Sequence, residues 1–339
     1  MDKTIIRLDN IAKSFGNVRV IHHISFSIEA GKVYALAGEN GAGKSTLCNI
    51  ISGSLKPDEG TISYGDKEYS SFTIQQAKEI GIKMVHQELQ ILPLMNVEEN
   101  IFIGEESSRR GFVNKKEMRK RSLELLEMVG LNAQPETKVA EIEIAGRQLL
   151  EIARAINHNA RIIILDEPTV GLDPRQIIDI RSLIQSLREK HTVILSSHIL
   201  SEVSAVCDHI LIISKGKLVA SDSAENLSKL MRRANTYDML IQGEPEKIRE
   251  ALEKIHDLLK QIRVEASPNG FTAVHLETDE TVDPRAAVFR LLAQADCPIM
   301  ELTSASLSLE DVFMELTGQD EQANLKADGK EEADHVGNL

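Results

Sequence analysis

Short, unbroken apolar runs alternate with stretches of helical spacing along the first two thirds of the chain. Val33-Tyr34-Ala35-Leu36-Ala37 and Ile162-Ile163-Ile164-Leu165 are too short for ordinary helices and carry no polar face, which predicts strands buried on both sides. Thr46-Leu47-Cys48-Asn49-Ile50-Ile51 opens a helical pattern soon after the first of them. Residues 71–160 are mostly helical in spacing, with breaks at Pro93 and Pro135, and Leu149, Ile152, Ala153 and Ile156 fall on one apolar face. Beyond about residue 234 the spacing changes. It predicts a strand over 237–242, a helix over 245–256, strands over 259–265 and 271–277, a helix over 284–295 and a strand over 298–302. That order, βαββαβ, is the split arrangement of ferredoxin-like domains. An amphipathic helix is expected over 308–318, and a disordered tail over 319–339, where the chain is polar, charged and free of aromatics.

The turn between the first buried strand and its helix holds the most specific chemistry. Residues 38–45 read Gly-Glu-Asn-Gly-Ala-Gly-Lys-Ser, a phosphate-cradling loop in the strand-loop-helix context it requires. The loop, Gly38, Glu39, Asn40, Gly41, Ala42, Gly43, Lys44, Ser45 and Thr46, is the expected binding surface for a nucleoside triphosphate. Gly41 and Gly43 let backbone approach phosphate oxygens, while Lys44 and the helix N-terminus set positive potential against them. Ser45 is the expected magnesium ligand. The strand at 162–165 ends in Asp166-Glu167, which delivers two carboxylates to one place. Asp166 suits a role on magnesium, and Glu167 suits orienting a water for attack on the terminal phosphate.

Length and charge narrow the rest. With 339 residues and 42% hydrophobic content, one large and one small domain can each bury a core. A formal net charge of −13 argues against nucleic acid as a general partner. Cys48, Cys207 and Cys297 are far apart in sequence, so buried, reduced thiols are expected and neither a disulfide framework nor a zinc site. No apolar run is long enough to span a bilayer and the N-terminus does not read as a signal peptide, so a cytoplasmic chain meeting a membrane through a partner is expected.

Taken together these motifs resemble the nucleotide-binding subunits of ABC transporters, over residues 4–230. The resemblance implies an α/β fold, a P-loop NTPase of ABC type at 1–233 with an inserted helical subdomain at about 71–160. A small α+β ferredoxin-like domain follows at 234–318. It implies ATP and Mg2+ as cofactors, a dimer of ATPase subunits, and an integral-membrane permease as partner, with the chain peripheral on the inner face of the membrane. It maps Gln87 onto the Q-loop glutamine that touches magnesium, His198 onto the switch histidine at the γ-phosphate, and Asp173 onto the D-loop that communicates across the dimer. Phe15 matches the aromatic that stacks on adenine, with Val20 beside it.

One motif departs from the family. Where Leu-Ser-Gly-Gly-Gln is usual, the chain reads Ile142-Glu143-Ile144-Ala145-Gly146-Arg147-Gln148. In the family this signature turn caps the γ-phosphate held by the other subunit. Glu143 replaces a hydroxyl donor with an anion, and at about 5 Å from phosphate with an effective dielectric near 20 the repulsion is roughly 3 kcal/mol. Ala145 adds a Cβ where glycine would allow closest approach. The alternative is that Glu143 caps its own helix and turns its charge away. The departure favours a heterodimer with an intact second ATPase over a homodimer. The resemblance also points two ways on transport. The Q-loop neighbourhood, Val85-His86-Gln87-Glu88-Leu89 and 97–104, and the unusual signature look like the N-terminal half of tandem sugar-importer ATPases. The accessory domain, Glu167-Pro168-Thr169-Val170-Gly171-Leu172-Asp173-Pro174-Arg175-Gln176 and Ser308-Leu309-Glu310-Asp311-Val312-Phe313 look like ATPases of ABC-2 type exporters. A whole domain is harder to mimic than a loop, so export is the leading expectation, a sugar-type importer the alternative, and a soluble non-transport ABC ATPase a third reading.

Overall fold

A computed structural model of the chain describes residues 4–104, 106, 108–109, 112–230, 235–279, 282–305, 310 and 313–314. These fall into two compact units, Met1–Ala224 and Glu225–Met314. In the first, β1 (Thr4–Phe15), β2 (Val18–Glu29), β3 (Val33–Ala37), α1 (Lys44–Ile51), β4 (Glu59–Tyr64), β5 (Lys67–Tyr69), α2 (Ile74–Ile80) and β6 (Ile82–Val85) come first. Next are α3 (Val97–Phe102), a small hairpin of β7 (Ser108–Arg109) and β8 (Phe112–Val113), α4 (Lys115–Val129) and α5 (Ile144–Asn157). β9 (Ile162–Asp166), α6 (Pro174–Leu187), β10 (Thr192–Ser197), α7 (Leu200–Val206), β11 (His209–Ser214) and β12 (Lys217–Asp222) close the unit, and α8 (Ala224–Leu230) follows.

The main sheet runs β12-β11-β3-β10-β9-β6. All its neighbours are parallel except the β11–β12 hairpin. Every residue of β3, β9 and β10 is buried, which is why those strands read as continuous apolar runs. Alternate side chains leave on opposite faces. Val33, Ile163, Leu165, Val193 and Leu195 enter a core shared with α3, α4, α5 and α6. Tyr34, Leu36, Ile162, Ile164 and Ile194 enter a second core, closed by α1 and by Ile6, Leu8, Ile11, Ile24 and Ile28 of an antiparallel sheet ordered β2-β1-β4-β5.

The segment expected to be mostly helical, 71–160, is not wholly so. Ile82–Val85 is the edge strand of the main sheet, paired with β9, and the helical layer proper begins after it. Four residues with a single flanking Gly81 are too few to override the helical spacing around them.

The second unit holds β13 (Asn235–Gln242), α9 (Pro245–Glu253), β14 (Gln261–Ser267), β15 (Phe271–Thr278), α10 (Arg285–Gln294) and β16 (Ile299–Ala305). Its antiparallel sheet is ordered β14-β15-β13-β16, the ferredoxin-like arrangement. Tyr237, Met239, Ile241, Val274 and Leu276 meet Ile248, Leu252, Val288 and Leu292 of the two helices in one core. The opposite face is polar, with Asp238, Arg263, Glu265, His275 and Glu301 around Ala273 and Leu240. The units divide at residue 224, ahead of the boundary expected at 233, because packing and not composition decides where one core ends. Of the helix expected over 308–318 only Glu310, Phe313 and Met314 are described, and the tail at 319–339 lies outside the described residues. Among the described residues no helix is long and apolar enough to cross a membrane. Cys48 and Cys297 are buried free thiols, whereas Cys207 is partly exposed.

Candidate functional site

Three parallel strands end at one edge of the main sheet, and the turn after each supplies one part of the site. After β3 the chain enters the loop 38–43. A Cβ on Gly38 would lie 2.2 Å from the Ile213 carbonyl oxygen, and one on Gly43 2.5 Å from Ile21 Cδ1, so neither position has room for a side chain. Gly41 and Gly43 have φ of 82° and 105°, in the region where glycine alone is unstrained. Gly43 is the N-cap of α1 and brings no capping side chain, which leaves the first N–H groups of that helix for an incoming anion. The β11–β12 turn braces the loop from behind: Gly216 N–H donates to Ala42 O at 3.0 Å, and Ala42 N–H donates to Glu39 O at 3.1 Å.

After β9 comes Glu167, whose φ of 50° is uncommon for a residue with a Cβ. Its N–H donates to Ser196 O on β10 at 3.1 Å, which holds the bend. One carboxylate oxygen lies 3.3 Å from Lys44 Nζ and the other 2.8 Å from Nδ1 of His198, the residue just after β10. Lys44 also donates to Gly38 O at 2.8 Å and Glu39 O at 3.1 Å, which holds its ammonium over the loop beside Glu167. Lys44, Asp166 and Glu167 are all buried. Ser45 Oγ donates to Asp166 Oδ1 at 3.1 Å, which sets two hard oxygens side by side. Magnesium takes oxygen ligands and keeps few of them from protein, the rest being phosphate and water. The pair fits that ion; among the described residues no cluster of three or more His, Cys, Asp or Glu could hold a metal by itself.

These parts line a cleft of about 560 Å³. It is lined by Asn40, Gly41, Gly43, Lys44, Ser45 and Thr46 of the loop and α1, by Gln87, Glu167 and His198, and by Phe15 and Val20. Phe15 is half exposed, with Lys13 Nζ 5.7 Å from its ring centre. Val170 also lines the cleft. It was not a sequence-level candidate, and no spacing signal distinguishes it from any residue after the Glu167-Pro168 turn. Gly38, Glu39, Ala42 and Asp166 lie behind the lining and shape it.

The remaining candidates lie apart from the cleft. Asp173 is the N-cap of α6, and its Oδ1 accepts from the N–H of Arg175 and of Gln176, each at 2.9 Å. Glu143 occupies the N-cap position of α5 but makes no side-chain cap bond, so the self-capping alternative is not what the structure contains. Its side chain is exposed, as is that of Ile144. Gly146 is needed for packing: a Cβ there would lie 2.5 Å from Ile142 Cγ2 and 3.1 Å from Leu131 Cδ1. Arg147 donates to Ile142 O at 2.7 Å and to Ala140 O at 3.1 Å, which ties the turn together.

A glycine-rich loop at a helix N-terminus, joined to a carboxylate pair and a histidine at adjacent strand ends, defines a P-loop nucleotide-binding module. Comparison with known proteins specifies the class. The model of the family described as "ABC transporter" matches residues 21–170. The crystal structure of MJ1267, an ATP-binding cassette of an ABC transporter in its ADP conformation, is 30% identical with a TM-score of 0.60; the match covers 66% of this chain and 93% of that one. The chain belongs to the ABC transporter ATP-binding cassette family, whose cassettes are ATPases. The cassette MJ0796, solved as a dimer bound to ADP and Pi, is 26% identical with a TM-score of 0.57 over 65% of this chain and 98% of that one. A putative ribose/galactose/methyl galactoside import ATP-binding protein of Burkholderia cenocepacia is 38% identical over 67% of this chain and 44% of its own length. One from Halalkalibacterium halodurans is 35% identical over 76% and 51%, and the ribose import ATP-binding protein RbsA of Bacillus licheniformis 40% over 63% and 44%. The chain thus spans about half the length of the curated relatives it matches.

These names correct the leading expectation of export. That expectation rested on the accessory domain, on 167–176 and on 308–313, the last a stretch mostly outside the described residues. The relatives matched are import proteins, in line with the alternative drawn from 85–104 and the signature turn.

Proposed function

We propose that this chain is the ATP-hydrolysing subunit of a monosaccharide importer, working on the inner face of the membrane through a separate permease. The placement of Glu167 between Lys44 and His198 supports hydrolysis, and the relatives named for ribose, galactose and arabinose import support the cargo class. In this reading the loop and the N-terminus of α1 take the β- and γ-phosphates, and Lys44 moves its charge from Glu167 onto them. Phe15 stacks on the base. Glu167 orients a water in line with the γ-phosphorus, and His198 holds Glu167 from one side and donates toward the phosphate from the other. Ser45, Asp166 and Gln87 would hold Mg2+, which neutralises charge on the phosphate oxygens.

For pairing, we infer a second cassette with an intact signature. The exposed, uncapped Glu143 supports this, since in a self-paired dimer its carboxylate would face phosphate in both sites. In that arrangement the site built on Lys44, Asp166 and Glu167 receives a hydroxyl-bearing cap from its partner.

The test is uptake of radiolabelled ribose, arabinose and galactose by the source organism with the gene deleted. Loss of uptake of at least one sugar, restored by the wild-type gene and not by Glu167→Gln, is expected. Uptake of all three unchanged by deletion would overturn the cargo reading.

A further inference from the structure

Between Gln87 at the cleft and α3 lies a segment, 88–96, that belongs to no strand or helix. Backbone groups outside regular structure normally turn to water, and exposed Leu92 and Leu94 show that this segment is at the surface. Yet its polar groups are held from within the protein. Gln90 N–H donates to Glu151 Oε1 at 2.7 Å, and Gln90 O accepts from Arg154 Nη1 at 2.7 Å. Leu92 N–H donates to Asn100 Oδ1 at 2.8 Å, and Leu92 O accepts from Asn100 Nδ2 at 3.1 Å. Pro93 O and Met95 O accept from the N–H groups of Ala140 and Val139, at 2.9 and 3.1 Å.

The anchors of Gln90, Pro93 and Met95 lead to α5 and the turn before it, and that of Leu92 to α3. Glu151 and Arg154 are on α5, whose first turn is the signature turn at Glu143, and they bind each other at 2.9 Å. Ala140 is held by Arg147 of that turn. Glu151 and Asn100 are 2% and 1% exposed. Burial raises the pKa of the Glu151 carboxyl above the ordinary range, and its second oxygen, Oε2, is buried without a hydrogen-bond partner. Its other oxygen, Oε1, accepts from both Gln90 N–H and Arg154 Nη2, so one buried carboxylate ties the surface segment to α5.

We propose that Glu151 and Asn100 are positioning residues. They clamp the segment 90–92 to α5 and α3, so that Gln87 and the signature turn of the same chain move as one body when nucleotide binds. The surface formed by Leu92 and Leu94 is carried with them. The inference rests on the nucleotide-site reading for its consequence at Gln87, but the clamp itself can be measured without it.

The experiment uses the full chain and the variants Glu151→Ala, Asn100→Ala and Glu151→Gln, with two readouts. The first is hydrogen–deuterium exchange of peptides covering 86–95. The second is ATP affinity measured in EDTA and in excess Mg2+. Exchange in 86–95 is expected to rise tenfold or more in both alanine variants, with the strands of the main sheet as protected as in wild type. ATP affinity in EDTA should stay within twofold, while the gain on adding Mg2+ falls at least threefold because Gln87 is no longer held toward the ion. Glu151→Gln keeps an acceptor for Gln90 and should retain most of the Mg2+ gain. Unchanged exchange in 86–95 would overturn the clamp. A loss of ATP affinity equal in EDTA and Mg2+, or a glutamine variant as impaired as alanine, would overturn the positioning role. Absence of ATP binding in the wild-type chain would instead sink the nucleotide-site reading, with the exchange data still deciding the clamp.

Discussion

Two helices of the first unit begin at turns that the family uses on phosphate, and they are dressed in opposite ways. α1 starts at Gly43, with no capping side chain, a glycine-lined approach and Lys44 in its first turn. α5 starts at Glu143, an exposed carboxylate that bonds none of the helix N–H groups, followed by exposed Ile144 and by Ala145. The backbone chemistry of the two ends is the same, since each offers N–H groups and the positive end of a helix dipole. Side chains therefore decide which end holds an anion. α1 is built to receive phosphate directly, whereas α5 is built to hold its own turn through Arg147 and to grip Gln90 further along.

The sharpest way to break the contrast is to remove the charge at α1. Lys44→Ala should lower ATP affinity a hundredfold or more, measured by equilibrium binding of a fluorescent ATP analogue; a drop of less than tenfold would mean that the backbone alone holds the nucleotide. Restoring a donor at α5 works from the other side. Glu143→Ser should raise ATP hydrolysis by the self-paired chain about tenfold or more, because a hydroxyl replaces an anion near phosphate; an unchanged rate would show that Glu143 does not face the partner site. Gly146→Ala tests packing at α5 without touching charge. The added Cβ meets Ile142 and Leu131, and overpacking offset by better helix propensity leaves a net loss of about 1 kcal/mol in urea unfolding. The smallest effect concerns pH. The folded-state pKa of Glu151 is raised by burial, so its contribution to stability is present at acid pH and lost as pH rises through that value. Urea unfolding should show Glu151→Gln gaining stability relative to wild type as pH rises above the ordinary carboxylate range, and an opposite slope would mean that the Arg154 pairing outweighs burial.

Most of the cleft was legible because its chemistry is local. Gly41, Gly43, Lys44 and Ser45 are fixed by one loop, and Asp166 and Glu167 by one strand end, so their residue types and spacing survive in a linear reading. The ferredoxin-like unit was legible for a different reason: amphipathic strands and helices with clear turns leave little choice of order, and α9 and α10 begin within a residue of where the spacing puts them. What escaped was set by contacts distant in sequence. The edge strand Ile82–Val85 exists only by pairing with β9. Whether Glu143 caps α5 depends on a side-chain direction that sequence does not carry. The grip of Glu151 and Asn100 on Gln90 and Leu92 joins residues up to 61 positions apart, with no periodic signal. The expectation of export, at odds with the import proteins the chain resembles, came from giving an appended domain more weight than 85–104 and the signature turn.

The central claim is that the cleft at α1 binds ATP and that Glu167 directs its hydrolysis. Its most direct test measures ATP binding and ATP turnover side by side in wild type and Glu167→Gln, in the chain assembled with its permease. The amide keeps the shape and the contact with His198 but not the anion, so binding should stay within threefold of wild type while turnover falls by about a hundredfold or more. Turnover near the wild-type rate, with binding intact, would contradict the account.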